Sequence, residues 1–211
     1  MNYLDKPLRA YLDDAASGRP TPGGGSVSAL AGALGVTMAE MAANFTLGRE
    51  QFRDVAPEVM ELLAVLTGSR SKFLDLMEKD IAAYSEVAAA YGRPRATPEE
   101  KVARARAIQE ALVVALEAPL ATMRVAAEAL AAVRRLVDVA NPNLLSDVAV
   151  AAELVWGSLR GGRLNVDVNL ASLKDEGLVA RFRREADALE AEARTARGET
   201  VDIVSRKLQR T

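Results

Sequence analysis

Apolar side chains recur three and four residues apart through almost every segment of this chain, which is the spacing of one face of an α-helix. Aromatic residues make up 4% of the 211 residues, and no run of alternating β-branched residues predicts a strand. Long helices bury their apolar stripes only when they pack side by side. The sequence therefore predicts an all-α fold, a single domain over residues 1–211 that forms an elongated bundle of long helices.

Glycine, proline and capping residues divide this pattern into segments. Thr97 and Glu100 form a capping-box pattern, and Gly48 is the expected terminator of the second helix. Pro119 lies inside a helical pattern and predicts a kink, because proline removes one backbone hydrogen bond. We expect six helices, over residues 4–16, 26–47, 55–91, 98–139, 148–156 and from about 175 to the C-terminus. Gly157, Gly161 and Gly162 are expected to loosen the continuation of the fifth helix.

The composition excludes several kinds of chemistry. The chain has no cysteine and no histidine, which removes disulfides, thiolate nucleophiles, imidazole bases and Cys/His zinc sites, and we expect no metal site. The formal net charge of −2 argues against nucleic acid as a partner. Asp5, Lys6 and Arg9 interrupt any leader-like N-terminus, which predicts a cytoplasmic protein. The charge-free stretch from Pro20 to Ala39 leaves about 13 residues of apolar helix, too few to span a membrane.

Alanine-rich helix faces favour self-association. They allow helices to approach closely, and a homodimer is the commonest closed assembly. We therefore expect a homodimer that buries such faces, which contain Ala82, Ala83, Ala88, Ala89, Ala126, Ala127, Ala131 and Ala132.

A triple glycine before the second helix is the first candidate binding element. Gly23, Gly24 and Gly25 allow backbone N–H groups to approach a ligand, and Ser26 then opens a helix whose positive end points the same way. The alternative is a plain flexible connection. Gly25, Ser28, Gly32, Gly35 and Ala39 then recur at helical spacing, which indicates the close approach of another helix.

Two further segments hold candidate site residues. Asn165 and Asn169 share a helical face, where amides could bind a heterocycle or join two helices, and Ser146 with Asp147 precedes them. Asp80 stands in the middle of a helix between apolar residues and alanines, although aspartate disfavours such positions. A solvated surface aspartate is the alternative for Asp80. Tyr84, one turn later, could donate a proton or stack on a ligand.

These segments, in this order, resemble the cyclodeaminase/cyclohydrolase family of folate one-carbon enzymes. The resemblance covers nearly the whole chain and rests on Pro22-Gly23-Gly24-Gly25-Ser26-Val27-Ser28, Gly48-Arg49, Asp80 with Tyr84, Thr97-Pro98-Glu99-Glu100-Lys101, Gln109-Glu110, Pro119-Leu120, Ser146-Asp147, and Asn165-Val166 with Asn169-Leu170. It implies a helical dimer with a reduced-folate site near the subunit interface. It also implies that Asp80 is the catalytic carboxylate and that the glycine loop, Ser146-Asp147 and Asn165-Asn169 form walls of the site.

The implied reaction suits a chain without histidine. In 5-formiminotetrahydrofolate, N10 attacks the formimino carbon on N5, ammonia leaves, and 5,10-methenyltetrahydrofolate forms, so no cofactor beyond the tetrahydrofolate substrate is expected. Arg49 and Arg163 are candidates for the folate's glutamate carboxylates, because guanidinium groups bind carboxylates through two parallel hydrogen bonds. Two alternatives stay open: a methenyltetrahydrofolate cyclohydrolase, and a non-catalytic helical scaffold or folate-binding protein.

Overall fold

In the described part of the chain six α-helices make up most of the fold, and the prediction of an all-α bundle is confirmed. The structure is a computed structural model that describes residues 3–209, and these residues contain no strand. The elements are α1 (Leu8–Ala16), α2 (Gly24–Thr46), α3 (Ala56–Tyr91), α4 (Pro98–Val139), α5 (Leu145–Ser172) and α6 (Glu176–Leu208), with 3₁₀ turns at Glu50–Val55 and Pro142–Leu144.

Helix α2 packs against both α3 and α5. A Cβ on Gly32 would fall 2.6 Å from the Phe73 ring and 2.7 Å from Ser158 Oγ, and a Cβ on Gly35 would fall 2.9 Å from the backbone nitrogen of Val155. Such distances are far below ordinary contact, so these glycines let the helix backbones approach. The prediction that another helix packs on this face is confirmed.

The predicted end of the fifth helix is wrong. Helix α5 runs without interruption from Leu145 to Ser172, so the glycines after Trp156 do not loosen it. A Cβ on Gly161 would fall 2.1 Å from Ser28 Oγ, and one on Gly162 would fall 3.1 Å from the Pro119 carbonyl oxygen. Tight packing on α2 and α4 outweighs the low helix propensity of glycine here.

The start of α4 follows its sequence signature. Thr97 Oγ1 accepts a hydrogen bond from the Glu100 N–H at 3.2 Å, and the Glu100 carboxylate accepts one from the Thr97 N–H at 3.1 Å. The predicted capping box is therefore confirmed. The helix continues through Pro119 to Val139 without a break.

Helix α2, Gly24–Thr46, agrees with the predicted helix over residues 26–47 to within two residues at each end. It continues past Glu40, the charged residue that ends the charge-free stretch, and Glu40 is buried and receives a hydrogen bond from Arg70 Nε at 2.9 Å. By length and composition α2 could cross a membrane, a property that the core helix of a soluble protein shares. More than half of its most apolar stretch is buried inside this fold.

Candidate active site

The elements singled out in the sequence meet at one end of the bundle. A cavity of about 410 Å³ opens between the start of α2, the middle and end of α3 and the last turns of α5. A volume of this size suits a small organic ligand. The cavity is lined by Pro20, Thr21, Gly23, Gly24, Gly25, Asp80, Ala83, Tyr84, Val87, Tyr91, Leu112, Ala115, Asn165, Val168, Asn169 and Ser172.

The Asp80 carboxylate lies directly against the first turn of α2. Its Oδ2 accepts a hydrogen bond from the Ser26 N–H at 2.9 Å. A Cβ on Gly25 would fall 2.0 Å from Asp80 Oδ1, so the helix begins this close only because residue 25 is glycine. Burial raises the pKa of Asp80 above its usual value, and the hydrogen bond from Ser26 opposes part of that rise. The result is a partly buried carboxylate that faces the cavity at a helix N-terminus.

Asn165 and Asn169 form the part of the cavity wall that α5 contributes. Each side-chain amide donates back to its own helix, Asn165 Nδ2 to the Gly161 carbonyl at 2.8 Å and Asn169 Nδ2 to the Asn165 carbonyl at 3.1 Å. Among the residues that the structure describes, neither side chain makes a hydrogen bond to a second helix, which was the alternative to a ligand role. Within residues 3–209 both amide oxygens lack a donor, so they are free to accept hydrogen bonds from a ligand in the cavity.

Aromatic and aliphatic side chains line the rest of the cavity. Tyr84 lies one turn after Asp80 on α3 and is 45% exposed, and Tyr91 is 47% exposed two turns later. Leu112 and Val168 add apolar surface from α4 and α5. A flat heterocycle with polar edges matches this combination of apolar walls and few polar groups.

Three predicted site residues lie at the other end of the bundle. Arg49 follows the C-terminal end of α2, and Ser146 and Asp147 occupy the first turn of α5. The Asn141 N–H donates to Thr46 Oγ1 at 2.9 Å and joins these two helix ends. At a rise of 1.5 Å per residue, Asp147 is about 27 Å from Asn165 along α5. None of the three lines the cavity of its own chain.

The structure corrects two predicted contacts. Arg163 does not line the cavity, because its guanidinium turns towards α6 and pairs with carboxylates of its own chain, Asp167 at 3.0 Å and Asp187 at 2.5 Å. This guanidinium is therefore engaged by carboxylates of its own chain. Ser26 is fully buried behind the cavity wall, where its N–H holds Asp80.

Sequence reasoning missed Tyr11. This residue of α1 is 3% exposed, and its hydroxyl is hydrogen-bonded to Ser26 Oγ at 3.0 Å. It therefore lies directly behind the loop that holds Asp80. The available signal was a tyrosine on the apolar face of a short helix, which by itself predicts only packing.

Known proteins share both the sequence and the fold. The model of the formiminotransferase-cyclodeaminase family matches residues 7–188. A methenyltetrahydrofolate cyclohydrolase from Methylorubrum extorquens is 36% identical over 189 residues, which cover 90% of this chain and 91% of that protein. A formimidoyltransferase-cyclodeaminase from Sus scrofa is 32% identical over 92% of this chain, which spans 36% of that longer protein.

A solved structure extends the likeness to three dimensions. The crystal structure of formiminotetrahydrofolate cyclodeaminase from Thermotoga maritima superimposes with a TM-score of 0.88 at 29% sequence identity. The match covers 97% of this chain and 98% of that one. The sequence and the fold agree, and the chain therefore belongs to the formiminotransferase-cyclodeaminase family of folate one-carbon enzymes.

Proposed function

We propose that this enzyme converts 5-formiminotetrahydrofolate to 5,10-methenyltetrahydrofolate and ammonia in the cavity beside Asp80. The position of the Asp80 carboxylate carries this proposal, because among the described residues that line the cavity it is the one carboxylate, beside amides, hydroxyls and apolar surface. The raised pKa of Asp80 lies closer to neutral pH than that of an ordinary aspartate. A group that both accepts and returns a proton works best when its pKa is near the working pH.

The reaction needs one proton to move between two nitrogens of the substrate. N10 attacks the carbon of the formimino group, whose nitrogen is protonated, and forms the new C–N bond, and Asp80 accepts the N10 proton. The protonated Asp80 then gives that proton to the former formimino nitrogen, whose bond to carbon breaks as ammonia leaves. The carbon ends as the methenyl bridge with the positive charge, so atoms and charge balance. The cavity contributes by holding N10 close to the formimino carbon.

The walls suit a reduced pterin. Tyr84 and Tyr91 offer aromatic surface near the ring, and the amide oxygens of Asn165 and Asn169 can accept hydrogen bonds from its amino and ring N–H groups. Both reacting nitrogens and the transferred carbon belong to the folate, so we propose that no further cofactor or metal takes part. A cytoplasmic location, without membrane or nucleic-acid partners, stays a prediction from the composition.

Hydrolysis of 5,10-methenyltetrahydrofolate is the second candidate. The cyclohydrolase from Methylorubrum extorquens, at 36% identity over nearly the whole length of both chains, favours it. In that reaction water attacks the methenyl carbon, and the same Asp80 carboxylate would accept the proton that water loses. Asp80 would then give this proton to the folate nitrogen whose bond to that carbon breaks, while the hydroxyl proton goes to solvent and a formyl group stays on the other nitrogen.

Product analysis separates the two candidates. Purified enzyme mixed with 5-formiminotetrahydrofolate is expected to release ammonia and form the methenyl chromophore in equal amounts. Loss of the chromophore from added methenyltetrahydrofolate, without any ammonia from the formimino substrate, would instead assign hydrolysis. Failure to turn over or bind either folate would leave only the scaffold alternative.

We further propose that the chain forms a two-fold homodimer through α2 and α5. The faces of these helices that point away from the core are apolar and adjacent, with Leu34 52% exposed on α2 and Leu164 61% exposed on α5. Two adjacent helices of this length present about 700 Å², close to the about 800 Å² that each partner buries in a standard interface. The stripe contains Val27, Leu34 and Phe45 on α2 and Val150, Leu154, Leu164 and Val168 on α5.

Only part of the predicted alanine faces is available to a partner. Ala126, Ala127 and Ala132 are buried inside the chain itself, whereas Ala82, Ala88, Ala89 and Ala131 are exposed. Val168 belongs both to the apolar stripe and to the cavity lining, so the face reaches the site. An antiparallel two-fold arrangement would place the far end of one subunit, with Arg49, Ser146 and Asp147, near the cavity of the other.

Replacing Leu34 with Glu tests this dimer. A charge at the centre of the apolar stripe is expected to produce monomers in light scattering and, if the partner completes the site, to reduce turnover although Leu34 lies outside the cavity. The control is Val102→Glu at a residue of α4 that is 70% exposed, which should leave the mass and the turnover unchanged. A monomeric wild-type enzyme, or a dimeric Leu34→Glu variant, would contradict the proposal.

A further inference from the structure

A chain of hydrogen bonds leads from α1 to Asp80 without touching the cavity. The Tyr11 hydroxyl is hydrogen-bonded to Ser26 Oγ at 3.0 Å, and the Ser26 N–H donates to Asp80 Oδ2 at 2.9 Å. Tyr11 is 3% exposed and Ser26 is fully buried, and neither lines the cavity. The reacting group is therefore held from behind by a residue that a bound folate would not contact.

The segment that carries Tyr11 is itself fastened to α3 beside Asp80. The Tyr3 N–H donates to Glu78 Oε1 at 2.7 Å, two residues before Asp80. The Tyr3 ring meets the Tyr11 ring edge to face, with centroids 5.2 Å apart. These contacts keep the Tyr11 ring in one place, so its hydroxyl offers Ser26 a fixed partner.

The Tyr11 hydroxyl stays neutral in this position. Burial raises the pKa of Tyr11, and the negative charge of Asp80 raises it further, while the hydrogen bond with Ser26 acts in the opposite direction. A protonated hydroxyl can only orient its neighbours here and does not compete with Asp80 for the substrate's proton.

We propose that Tyr11 is a positioning residue that holds Ser26 in place and so fixes the direction in which Asp80 faces the cavity. An N–H directed at a carboxylate stabilises its charged form. When Ser26 loses its partner, this N–H drifts, and the pKa of Asp80 rises further. The kinetic part of this proposal rests on the proposed function, but the effect on Asp80 does not, because it can be measured without turnover.

Tyr11→Phe is the test and Tyr3→Phe is its matched control. Both variants remove one hydroxyl from the same segment and keep both rings, but the Tyr3 hydroxyl donates to Asp14 at 2.9 Å rather than to Ser26. Tyr11→Phe is expected to lower kcat about tenfold with little change in KM, and to move the acidic limb of the pH–rate profile upward by about half a unit. Tyr3→Phe should leave kcat and the profile unchanged.

Carboxyl NMR titration of the unliganded protein provides the readout that is independent of activity. The Asp80 signal, assigned by its loss in Asp80→Asn, should titrate at higher pH in Tyr11→Phe than in wild type. Ser26→Ala, which keeps the N–H but removes the hydroxyl, should produce the same shift, and the double variant should add nothing to it. If the Asp80 titration shifts as expected but the wild-type enzyme turns over no folate, the role of Tyr11 is sustained and the proposed function is overturned.

An unchanged Asp80 titration in Tyr11→Phe would overturn the positioning role. So would an equal shift in Tyr3→Phe, because that result would assign the effect to packing of the N-terminal segment as a whole.

Discussion

Replacing Asp80 with Asn is expected to lower kcat by a factor of about 10²–10⁴, the usual contribution of a group that transfers a proton in the transition state. The asparagine side chain has the same shape, and its amide oxygen can still accept the hydrogen bond from the Ser26 N–H. It cannot accept the proton of N10. Steady-state kinetics with the formimino substrate would measure the loss, and wild-type turnover in the variant would exclude Asp80 from the mechanism.

The stability of the same variant is the control for its fold. Because burial raises the pKa of Asp80, the folded protein binds a proton that the unfolded chain has already lost, in the pH range between the usual aspartate pKa and the raised one. Wild-type stability therefore falls as the pH rises through this range. The side chain in Asp80→Asn does not titrate. The thermal midpoint of the variant minus that of wild type should therefore be larger at neutral pH than at pH 4. A large loss of stability at neutral pH would mean that the kinetic defect reflects misfolding.

Gly25→Ala is expected to lower kcat about a hundredfold although it adds one methyl group outside the reacting atoms. The added Cβ would lie 2.0 Å from Asp80 Oδ1 and 2.5 Å from Cγ, so the carboxylate must leave its position against α2. The bond to the Ser26 N–H is then lost, and the group that transfers the proton no longer faces the substrate. The rate of methenyl formation would measure this effect.

Gly24→Ala is the matched control for that variant. A Cβ there would lie 3.5 Å from Asn165 Nδ2, an ordinary contact, and would leave Asp80 in place. We expect KM for folate to rise while kcat stays within about threefold of wild type. The reason is that the methyl group projects into the cavity and does not contact the Asp80 carboxylate. Equal losses of kcat in both variants would show that the loop needs glycine for its backbone. Loss of the fold in Gly24→Ala would restore the packing interpretation of the glycines.

Local signals predicted the helix boundaries where a terminator or a cap stands in the sequence. Gly48 adopts a φ of 76°, which favours glycine, two residues after α2 ends, and Thr97 caps α4 as expected. The prediction failed for α5, because the close approach of Ser28 to Gly161 is a property of two packed helices. Single-helix propensity contains no information about such a contact.

Much of the candidate site could also be predicted, because its residue types are unusual for their local positions. Asp80 in a mid-helix position and the asparagine pair on α5 both line the cavity. The sequence could not reveal which face of α5 turns towards α6, and so it did not predict that Arg163 pairs with Asp187 there. Nor could it connect Tyr11 to Ser26, because that hydrogen bond depends on how α1 folds back on α2.

A crystal structure with 5-formyltetrahydrofolate bound would test the central claim most directly. This stable ligand carries a formyl group on N5, where the substrate carries its formimino group. We predict that the pterin lies between Asp80 and Asn165, with a carboxylate oxygen of Asp80 about 3 Å from N10 or from the formyl group. A folate bound outside this cavity, or one whose N5 and N10 lie beyond the reach of Asp80, would contradict it.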